Sequence, residues 1–524
     1  MIGSEIAAVL GLTAAATALP QQQKQTLQWK PCPELNEQIA NLSDPFPITK
    51  FDCAKLQVPL DYSCPKSSEL LELDLFRINA TKEPVLGSIL YNPGGPGGTA
   101  AENLPLNAPD LHLNIGGQYN LISWDPRGTG NTLPFNCGVA DAAGSSNVAR
   151  RDTDLSLASA NTTEIFLNFG WDQAVAYADA CFATNNKTGQ FIGTGSTAHD
   201  MISIVDALGE DGLLRYYGWS YGTALGDYFA AMFPDRVERM VLDANVNPHT
   251  YQQGHRSEFL EDTDKAFAAF IAECLANADA CPLVAATNAT TPTELFAVFN
   301  ALISPLAENA TSSPEAFNAY VGAIAVPYQQ LYYPANWPSL AQTLTDTLLG
   351  VVPDTPTTPP PPPYNLGSDS LNGIRCSDAT LQVPDATSYL PTLSSQLDST
   401  TGFGPIYSAL WPCASWRMPD KLQYTGNFTA KTRHPILFVN GEFDVATPIS
   451  GAYNASAGFE GSVVLAHNGY GHGIIPSPSR CVAEKIQAYF VEGALPEEGT
   501  RCEPDFGPWE LRAFYEESGL VRPF

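Results

Sequence analysis

The sequence predicts an α/β protein in which a mostly parallel sheet carries helices on both faces and a large, mainly helical insertion. Short apolar runs, typical of buried parallel strands, alternate with segments that have apolar residues at helical spacing. These core patterns stop near residue 244 and resume near residue 433, which indicates an insertion between them. The predicted strands are 71–76, 87–91, 121–124, 213–217, 239–242, 435–440 and 462–466, and the predicted helices include 198–208, 224–233, 266–276 and 481–491.

Residues 218–222 carry the most informative motif, G-W-S-Y-G. A strand is predicted directly before it and a helix, stopped by Pro234, directly after it. This strand, turn and helix are typical of the nucleophile elbow of an α/β hydrolase, in which small flanking residues let a sharp turn expose a serine hydroxyl. The motif therefore predicts the α/β-hydrolase fold, with Ser220 as the nucleophile.

An acid and a base follow Ser220 in the order that this fold requires. Asp444 comes just after the predicted strand at 435–440, and His472 lies on a glycine-rich loop after the last predicted strand. A serine hydroxyl needs a base to take its proton, and a carboxylate orients that base. Asp444 could instead cap a turn, Glu442 is a rival acid, and His467 is a rival base at a strand end.

An oxyanion hole is predicted in the glycine-rich segment 92–98, which follows an early strand. A tetrahedral intermediate needs two backbone N–H groups aimed at its oxygen. One is expected from Tyr221, the residue after the nucleophile, and the other from this loop. Gly95 is the predicted loop donor and its neighbour Gly94 is an alternative. The alternative to an oxyanion hole is that this segment is an ordinary Gly/Pro turn without a catalytic role.

Five motifs in this order resemble the secreted tripeptidyl aminopeptidase family, which is similar to proline iminopeptidases. The resemblance runs from about Trp29 to about Cys502 and includes a TAP-like C-terminal region. It implies release of short peptides from free N-termini through an acyl-enzyme, although members of the family also hydrolyse esters and natural products. The motifs are residues 92–98, 124–130, 218–222, 441–448 and 471–473.

Segment 241–248 departs from the family pattern, so the detail of the substrate pocket does not follow from the resemblance. Asp125 and Arg127 match the pattern, and we interpret them as a structural turn braced by an ion pair. An aminopeptidase needs a carboxylate for the substrate's amine. The candidates are Glu442, Asp243, Glu258 and Glu261, each of which could be a structural acid instead, while Trp219 and Tyr221 could line the pocket or pack in the core.

The N-terminus resembles a secretion signal with an A-x-A cleavage site at 16–18, although its first residues carry Glu5 and no basic residue. We therefore divide the chain into a signal peptide (1–18), a first part of the core (19–244), a cap insertion (245–432) and a C-terminal part of the core (433–524). A secreted glycoprotein is expected, because eight N-x-S/T sequons begin at Asn41, Asn79, Asn161, Asn186, Asn288, Asn309, Asn427 and Asn454.

The 11 cysteines also suit an oxidising compartment, and their odd number leaves at least one outside an intramolecular pair. Spacing together with the family resemblance suggests five pairs and leaves Cys64 over. Connectivity does not follow from sequence, so these pairs are hypotheses. They are Cys32–Cys53, Cys137–Cys181, Cys274–Cys281, Cys376–Cys413 and Cys481–Cys502.

The net charge of −29, from 26 Lys and Arg against 55 Asp and Glu, disfavours nucleic acid as a partner. No stretch is long and apolar enough for a dependable membrane anchor. The sequence has neither C-x-x-C nor H-E-x-x-H, so no metal and no cofactor are expected. We expect a monomer whose partner is a peptide or a small-molecule ester. The alternatives to an aminopeptidase are an esterase or lactone hydrolase with the same triad, and an inactive hydrolase fold used for binding.

Overall fold

The computed structural model describes residues 26–43, 48–64, 68–138, 158–351 and 367–518. The predicted signal peptide lies outside these residues. The described residues form one sheet of ten strands in the order β1-β2-β3-β5-β4-β6-β7-β8-β9-β10. The strands are β1 Lys30–Pro31, β2 Asp52–Pro59, β3 Leu70–Ile78, β4 Ser88–Asn92, β5 Asn120–Trp124, β6 Leu214–Trp219, β7 Val237–Asp243, β8 Leu437–Phe443, β9 Val463–Tyr470 and β10 Arg501–Cys502.

The sheet is antiparallel at one edge and parallel through the rest. Strands β1, β2, β3 and β5 pair antiparallel, whereas every pair from β5 through β4 to β10 is parallel. Parallel strands need crossover connections, and helices supply them here. The α-helices are α1 Pro33–Ser43, α2 Ala100–Ile115, α3 Thr162–Ile165, α4 Trp171–Asn185, α5 Thr194–Leu208, α6 Tyr221–Met232, α7 Pro248–Gln253, α8 Thr263–Ala276, α9 Pro282–Thr287, α10 Pro292–Asn309, α11 Pro314–Leu331, α12 Trp337–Leu348, α13 Gly367–Asp378, α14 Ala386–Leu397, α15 Ile449–Ser456, α16 Arg480–Glu492 and α17 Pro508–Ser518.

Helices cover both faces of the sheet, and successive strand residues bury against opposite faces. In β7, Leu242 packs in the core on the side of α5 and α6, while Val241 packs in the core on the side of α2 and α16. Alternation of this kind follows from the two-residue repeat of a strand. The predicted fold class, an α/β-hydrolase fold with a largely helical insertion, is confirmed.

The insertion lies between β7 and β8, and its helices α8–α12 and α14 form what we call the cap. The cap has its own apolar core. One part of this core was not predicted, because it comes from the segment between β5 and β6: the ring of Phe166 lies 4.9 Å from that of Trp411 and 5.4 Å from that of Tyr389. Conversely, Ile374 of α13 packs in the core of the sheet and not in that of the cap.

Disulfides join five pairs of cysteines, the same pairs that the spacing and the resemblance suggest. Cys137–Cys181 lies within the segment between β5 and β6, and Cys376–Cys413 joins the end of α13 to the chain after α14. Cys64 is free and exposed. The bonded pairs are Cys32–Cys53, Cys137–Cys181, Cys274–Cys281, Cys376–Cys413 and Cys481–Cys502.

Candidate active site

Ser220 occupies a sharp turn between β6 and α6. Its backbone has φ 57° and ψ −125°, a region that residues other than glycine seldom adopt. The turn is tight because the glycines of the motif allow close approach: a Cβ on Gly218 would lie 2.4 Å from the Gly222 carbonyl oxygen. The amide of Ser220 donates to the carbonyl of Asp243 at 3.0 Å, which ties the elbow to the neighbouring strand β7. The serine is thus lifted out of the regular backbone, as a nucleophile elbow requires.

His472 and Asp444 lie in direct contact. The His472 Nδ1 atom is 2.9 Å from Asp444 Oδ1 and 3.1 Å from Oδ2, and both side chains are buried. Four groups besides the imidazole donate to the same carboxylate at 2.9 Å: the amides of Ala446, Thr447 and Gly473, and the hydroxyl of Thr447. Hydrogen bonds from this many donors hold the carboxylate in one orientation. Asp444 therefore fixes the position of the imidazole ring.

The histidine is also fixed from the side of the elbow. The indole of Trp219, the residue before Ser220, donates to the His472 carbonyl at 3.1 Å, and the two rings lie 5.5 Å apart. The Ser220 hydroxyl makes no hydrogen bond to a described residue. In hydrolases of this fold, contacts between a catalytic serine and its base often tighten only when substrate binds.

The glycine-rich loop after β4 lies against the nucleophile. A Cβ on Gly94 would come within 2.8 Å of the Ser220 Cβ and 3.1 Å of the Tyr221 nitrogen. The amide of Gly94 already donates to the side chain of Asn92 at 3.0 Å. The amide of Gly95, which is exposed, has no acceptor among the described residues. Tyr221 is the first residue of α6, so its N–H has no acceptor within the helix.

Asp243 lies beneath the histidine loop and not in an open pocket. Its carboxyl group is fully buried and accepts from the Ile474 amide at 3.1 Å and from the Tyr217 hydroxyl at 3.1 Å. Burial raises the pKa of Asp243 to about 8, and the nearby charge of Asp444 adds to the rise. The structure thus brings Asp243 and Trp219 into contact with the loop that carries His472.

Glu442 is not brought to the site. It pairs with Lys265 at 3.4 Å and with Arg501. Although burial acts to raise its pKa, the hydrogen bonds and charges of Arg501 and Lys265 outweigh burial and lower the pKa of Glu442. The rival base His467 lies inside β9, where both ring nitrogens lack a described partner and burial lowers its pKa to about 4. Neither residue contacts the Asp444–His472 pair.

The two other candidate acids lie in the chain between α7 and α8. Glu258 accepts a hydrogen bond from the Thr250 hydroxyl, and burial raises the pKa of Glu258. Glu261 accepts from the Ser450 hydroxyl at 2.7 Å. Each of the four candidate carboxylates thus has a partner within the protein.

Asp125 and Arg127 both make contacts within the fold, but they do not form the ion pair with each other that the sequence suggested. Asp125 accepts from the amide of Ala100 at 2.7 Å, at the start of α2. Arg127 forms a fully buried ion pair with Asp200, with an Nε–Oδ2 distance of 2.7 Å. The ion pair expected at this turn is therefore made with α5.

The cap contacts His472 directly through Tyr332, a residue that the sequence analysis did not single out. The ring of Tyr332 lies 4.8 Å from that of His472, and the Tyr332 carbonyl accepts from the His472 amide at 2.9 Å. No local sequence signal marks Tyr332, because its position depends on how the cap folds back. Among the described residues, no cluster of three His, Cys, Asp or Glu side chains could hold a metal ion. No helix in the described ranges is both long and apolar enough to span a bilayer.

Comparison with known proteins supports the resemblance inferred from the motifs. Residues 402–502 match the family model of TAP-like proteins. The chain is 28% identical to serine protease Hip1 of Mycobacterium tuberculosis, with 91% of each chain covered. It is 26% identical to a tripeptidyl aminopeptidase of Streptomyces lividans, covering 94% of this chain and 90% of that protein. It is also 28% identical to carboxylesterase B of Mycobacterium tuberculosis, covering 94% and 92%.

Among solved structures, an α/β hydrolase fold protein from Chitinophaga pinensis has 11% identity and a TM-score of 0.36, covering 84% of this chain and 98% of its own. The resemblance to the tripeptidyl aminopeptidase family is confirmed over most of the chain. The three curated relatives are all hydrolases by name, which supports a hydrolase here too.

Proposed function

We propose that this chain is a serine hydrolase that works through an acyl-enzyme, with Ser220 as nucleophile, His472 as base and then acid, and Asp444 as the residue that orients His472. The observation that carries the proposal is the 2.9 Å contact between His472 Nδ1 and Asp444. Because Nδ1 donates to the carboxylate, the other ring nitrogen is left without a proton and can accept one from Ser220.

The reaction then runs in two halves. Ser220 attacks the carbonyl carbon while its proton passes to His472, and the negative oxygen of the tetrahedral intermediate accepts from the amides of Gly95 and Tyr221. His472 gives the proton to the leaving group, and the acyl group stays on Ser220. Water, activated by the same histidine, then releases the acid and restores the enzyme.

We assign Gly95 rather than Gly94 as the loop donor, because the Gly94 amide is already bound to Asn92. An oxyanion donor must have no competing acceptor in the resting enzyme if it is to bind the intermediate without reorganisation. Gly94 instead brings the loop backbone close to the Ser220 side chain.

The finer proposal is an aminopeptidase that releases short peptides of the tripeptidyl type from free N-termini. It is supported by the similarity to the Streptomyces enzyme along 94% of this chain. Of the four candidate amine ligands we favour Glu258, since Glu442 is neutralised by two cations and Asp243 lies behind the histidine loop. The second candidate is an esterase, which is supported by the similarity to carboxylesterase B and needs no amine-binding acid.

We further propose that the protein is secreted and glycosylated, and acts as a monomer. Five disulfides support an oxidising compartment. The asparagine of each of the eight sequons is exposed, as attachment of a glycan requires.

The experiment that separates the two candidates compares a free-amine tripeptidyl chromogenic amide with its N-acetylated form, using Ser220→Ala as the blank. An aminopeptidase cleaves only the free-amine form. Cleavage of neither amide, with chromogenic esters still cleaved by the wild type, would reject the aminopeptidase and retain the esterase.

A further inference from the structure

Two buried arginines in the insertion form no ion pair with a described acidic side chain, although the charge of Arg256 acts on nearby Glu258 and opposes the rise that burial causes in the pKa of Glu258. Arg256 and Arg375 are each only 8% exposed, and the Nε atom of each has no hydrogen-bond acceptor. Neither guanidinium forms an ion pair or a side-chain hydrogen bond with a described residue. The buried Arg127 shows the usual arrangement in this protein, since it is paired with Asp200 and also donates to the carbonyls of 59 and 60.

Both arginines belong to segments that border the catalytic residues. Arg375 lies in α13, the helix whose N-terminal part packs on the oxyanion loop: a Cβ on Gly97 would lie 2.9 Å from the Leu371 nitrogen. Arg256 follows α7, and the ring of Tyr251 in α7 lies 5.7 Å from the ring of Tyr221. The two segments therefore meet over the elbow and the oxyanion loop.

A chain of ring contacts leads from Arg256 towards His472. The Arg256 guanidinium lies 4.6 Å from the centre of the Phe259 ring. The Phe259 ring lies 6.2 Å from that of Tyr328, which lies 5.3 Å from that of Tyr332. Burial raises the pKa of Tyr332 to about 12, and this pKa also responds to the negative Asp444 and to the positive Arg256. Tyr328, which shares a 3.0 Å hydroxyl contact with Tyr332, responds to the same two charges. Tyr332 in turn packs on His472. Arg256 therefore lies on the cap side of His472, and the amide of Thr380, just after α13, donates to the Gln252 carbonyl of α7 at 2.9 Å, which holds the Arg375 segment against the Arg256 segment.

Two cations buried near each other destabilise an empty site. Burial, together with the positive charge of Arg256, lowers the pKa of Arg375 to about 10. A buried charge is normally paired, and the penalty for leaving it alone is large. The planar forks of two guanidinium groups match a carboxylate, which accepts hydrogen bonds on both oxygens.

We propose that Arg256 and Arg375 form a binding site for a carboxylate group of the substrate, placed on the cap side of Ser220. This inference deepens the proposed function and rests on it for the cleavage step. It defines the substrate class as peptides or esters that carry a carboxylate near the scissile bond. In a peptide this group is either an acidic side chain or the free C-terminus, and both sources have the same chemistry.

Two matched pairs of substrates distinguish these sources. The first pair has Glu or Gln as the last residue of a free-amine tripeptidyl anilide, and the second is a tetrapeptide with a free or an amidated C-terminus. In one pair the carboxylate should raise kcat/KM about tenfold or more, as expected for a charge-assisted, bidentate contact. In Arg375→Gln and Arg256→Gln this ratio should fall towards one. Arg417→Gln, which removes an exposed arginine paired with Asp179, is the control and should keep the wild-type ratio.

A binding measurement separates failure of this site from failure of the proposed reaction. Glutarate should raise the Tm of the wild type and of Ser220→Ala more than chloride does at equal ionic strength, because a ligand of the folded state stabilises it. Arg375→Gln should lose this response and should melt at or above the wild-type Tm without glutarate, because a buried unpaired charge is gone. Arg256→Gln is the independent second variant. Glutarate stabilisation without peptide cleavage would support the site and reject the peptidase. Equal kcat/KM for charged and neutral substrates, with no effect of glutarate on wild-type Tm, would overturn the site.

Discussion

The carboxyl group of Asp243 accepts a hydrogen bond from the backbone amide of Ile474, two residues after the catalytic histidine, at 3.1 Å. The carbonyl of the same aspartate accepts from the Ser220 amide at 3.0 Å. One residue at the end of β7 therefore supports both the nucleophile elbow and the histidine loop. Its carboxyl group is fully buried, which suits a supporting role.

Asp243 makes stability depend on pH. Its ordinary pKa is 3.8 and burial raises it to about 8, so the folded protein binds a proton that the unfolded chain has lost between these values. The contribution of Asp243 to the free energy of unfolding is therefore fully present below about pH 4 and is lost as the pH rises through 8. Thermal unfolding of wild type and Asp243→Asn should show the wild type losing stability relative to the variant from pH 5 to pH 8. A difference in Tm that stays constant or grows across this range would contradict the assignment.

Gly473→Ala should impair catalysis by displacing the histidine loop. A Cβ at this position would lie 2.7 Å from the Trp219 indole nitrogen and 2.8 Å from Asp243 Oδ1, and the backbone has φ 78°. We expect kcat/KM to fall about a hundredfold, the scale of a displacement of about 1 Å. Gly499→Ala is the matched control, because Gly499 has φ 81° and no atom lies within 4 Å of its added Cβ. Equal activity of the two variants would show that the loop tolerates the added methyl group.

Asp444→Asn should lower kcat while leaving the fold intact. The amide cannot hold the imidazole in the form that accepts the proton of Ser220, and the expected loss is about 10⁴-fold. Glu442→Gln is the control, because Glu442 pairs with Lys265 and Arg501 away from the histidine. Steady-state kinetics on a chromogenic ester measure both variants. A larger loss in Glu442→Gln than in Asp444→Asn would reverse the assignment of the acid.

Thiol titration tests the covalent framework. Five disulfides and the exposed Cys64 predict one reactive thiol per chain, in the folded and in the denatured protein. Cys64→Ser should remove that thiol and leave the Tm unchanged, since the side chain is exposed. Two or more thiols in the unreduced, denatured protein would show that a proposed pair is open.

The parts of the site that a short stretch of chain determines were predictable from sequence. Ser220, with the strand before it and the helix after it, is one such part, and the loops that carry Asp444 and His472 follow strands with clear apolar patterns. The contact of Tyr332 with His472 was not predictable, because it depends on how the long helical insertion returns to the sheet.

The same limit applies to the candidate substrate residues. Trp219, Asp243 and Glu442 lie next to catalytic motifs in the sequence, yet adjacency along a strand does not tell which side chain faces substrate and which faces the core. Arg256 and Arg375 are separated by 119 positions in the sequence. Their charges come close only in the folded chain, so the sequence alone did not reveal the pair.

The most direct test of the central claim is the intact mass of the folded protein after reaction with a fluorophosphonate, followed by peptide mapping. The account predicts one adduct per chain, on Ser220, with complete loss of hydrolysis, and no adduct on Ser220→Ala. A folded wild type that is not labelled, or a Ser220→Ala variant that hydrolyses substrate at the wild-type rate, would contradict it.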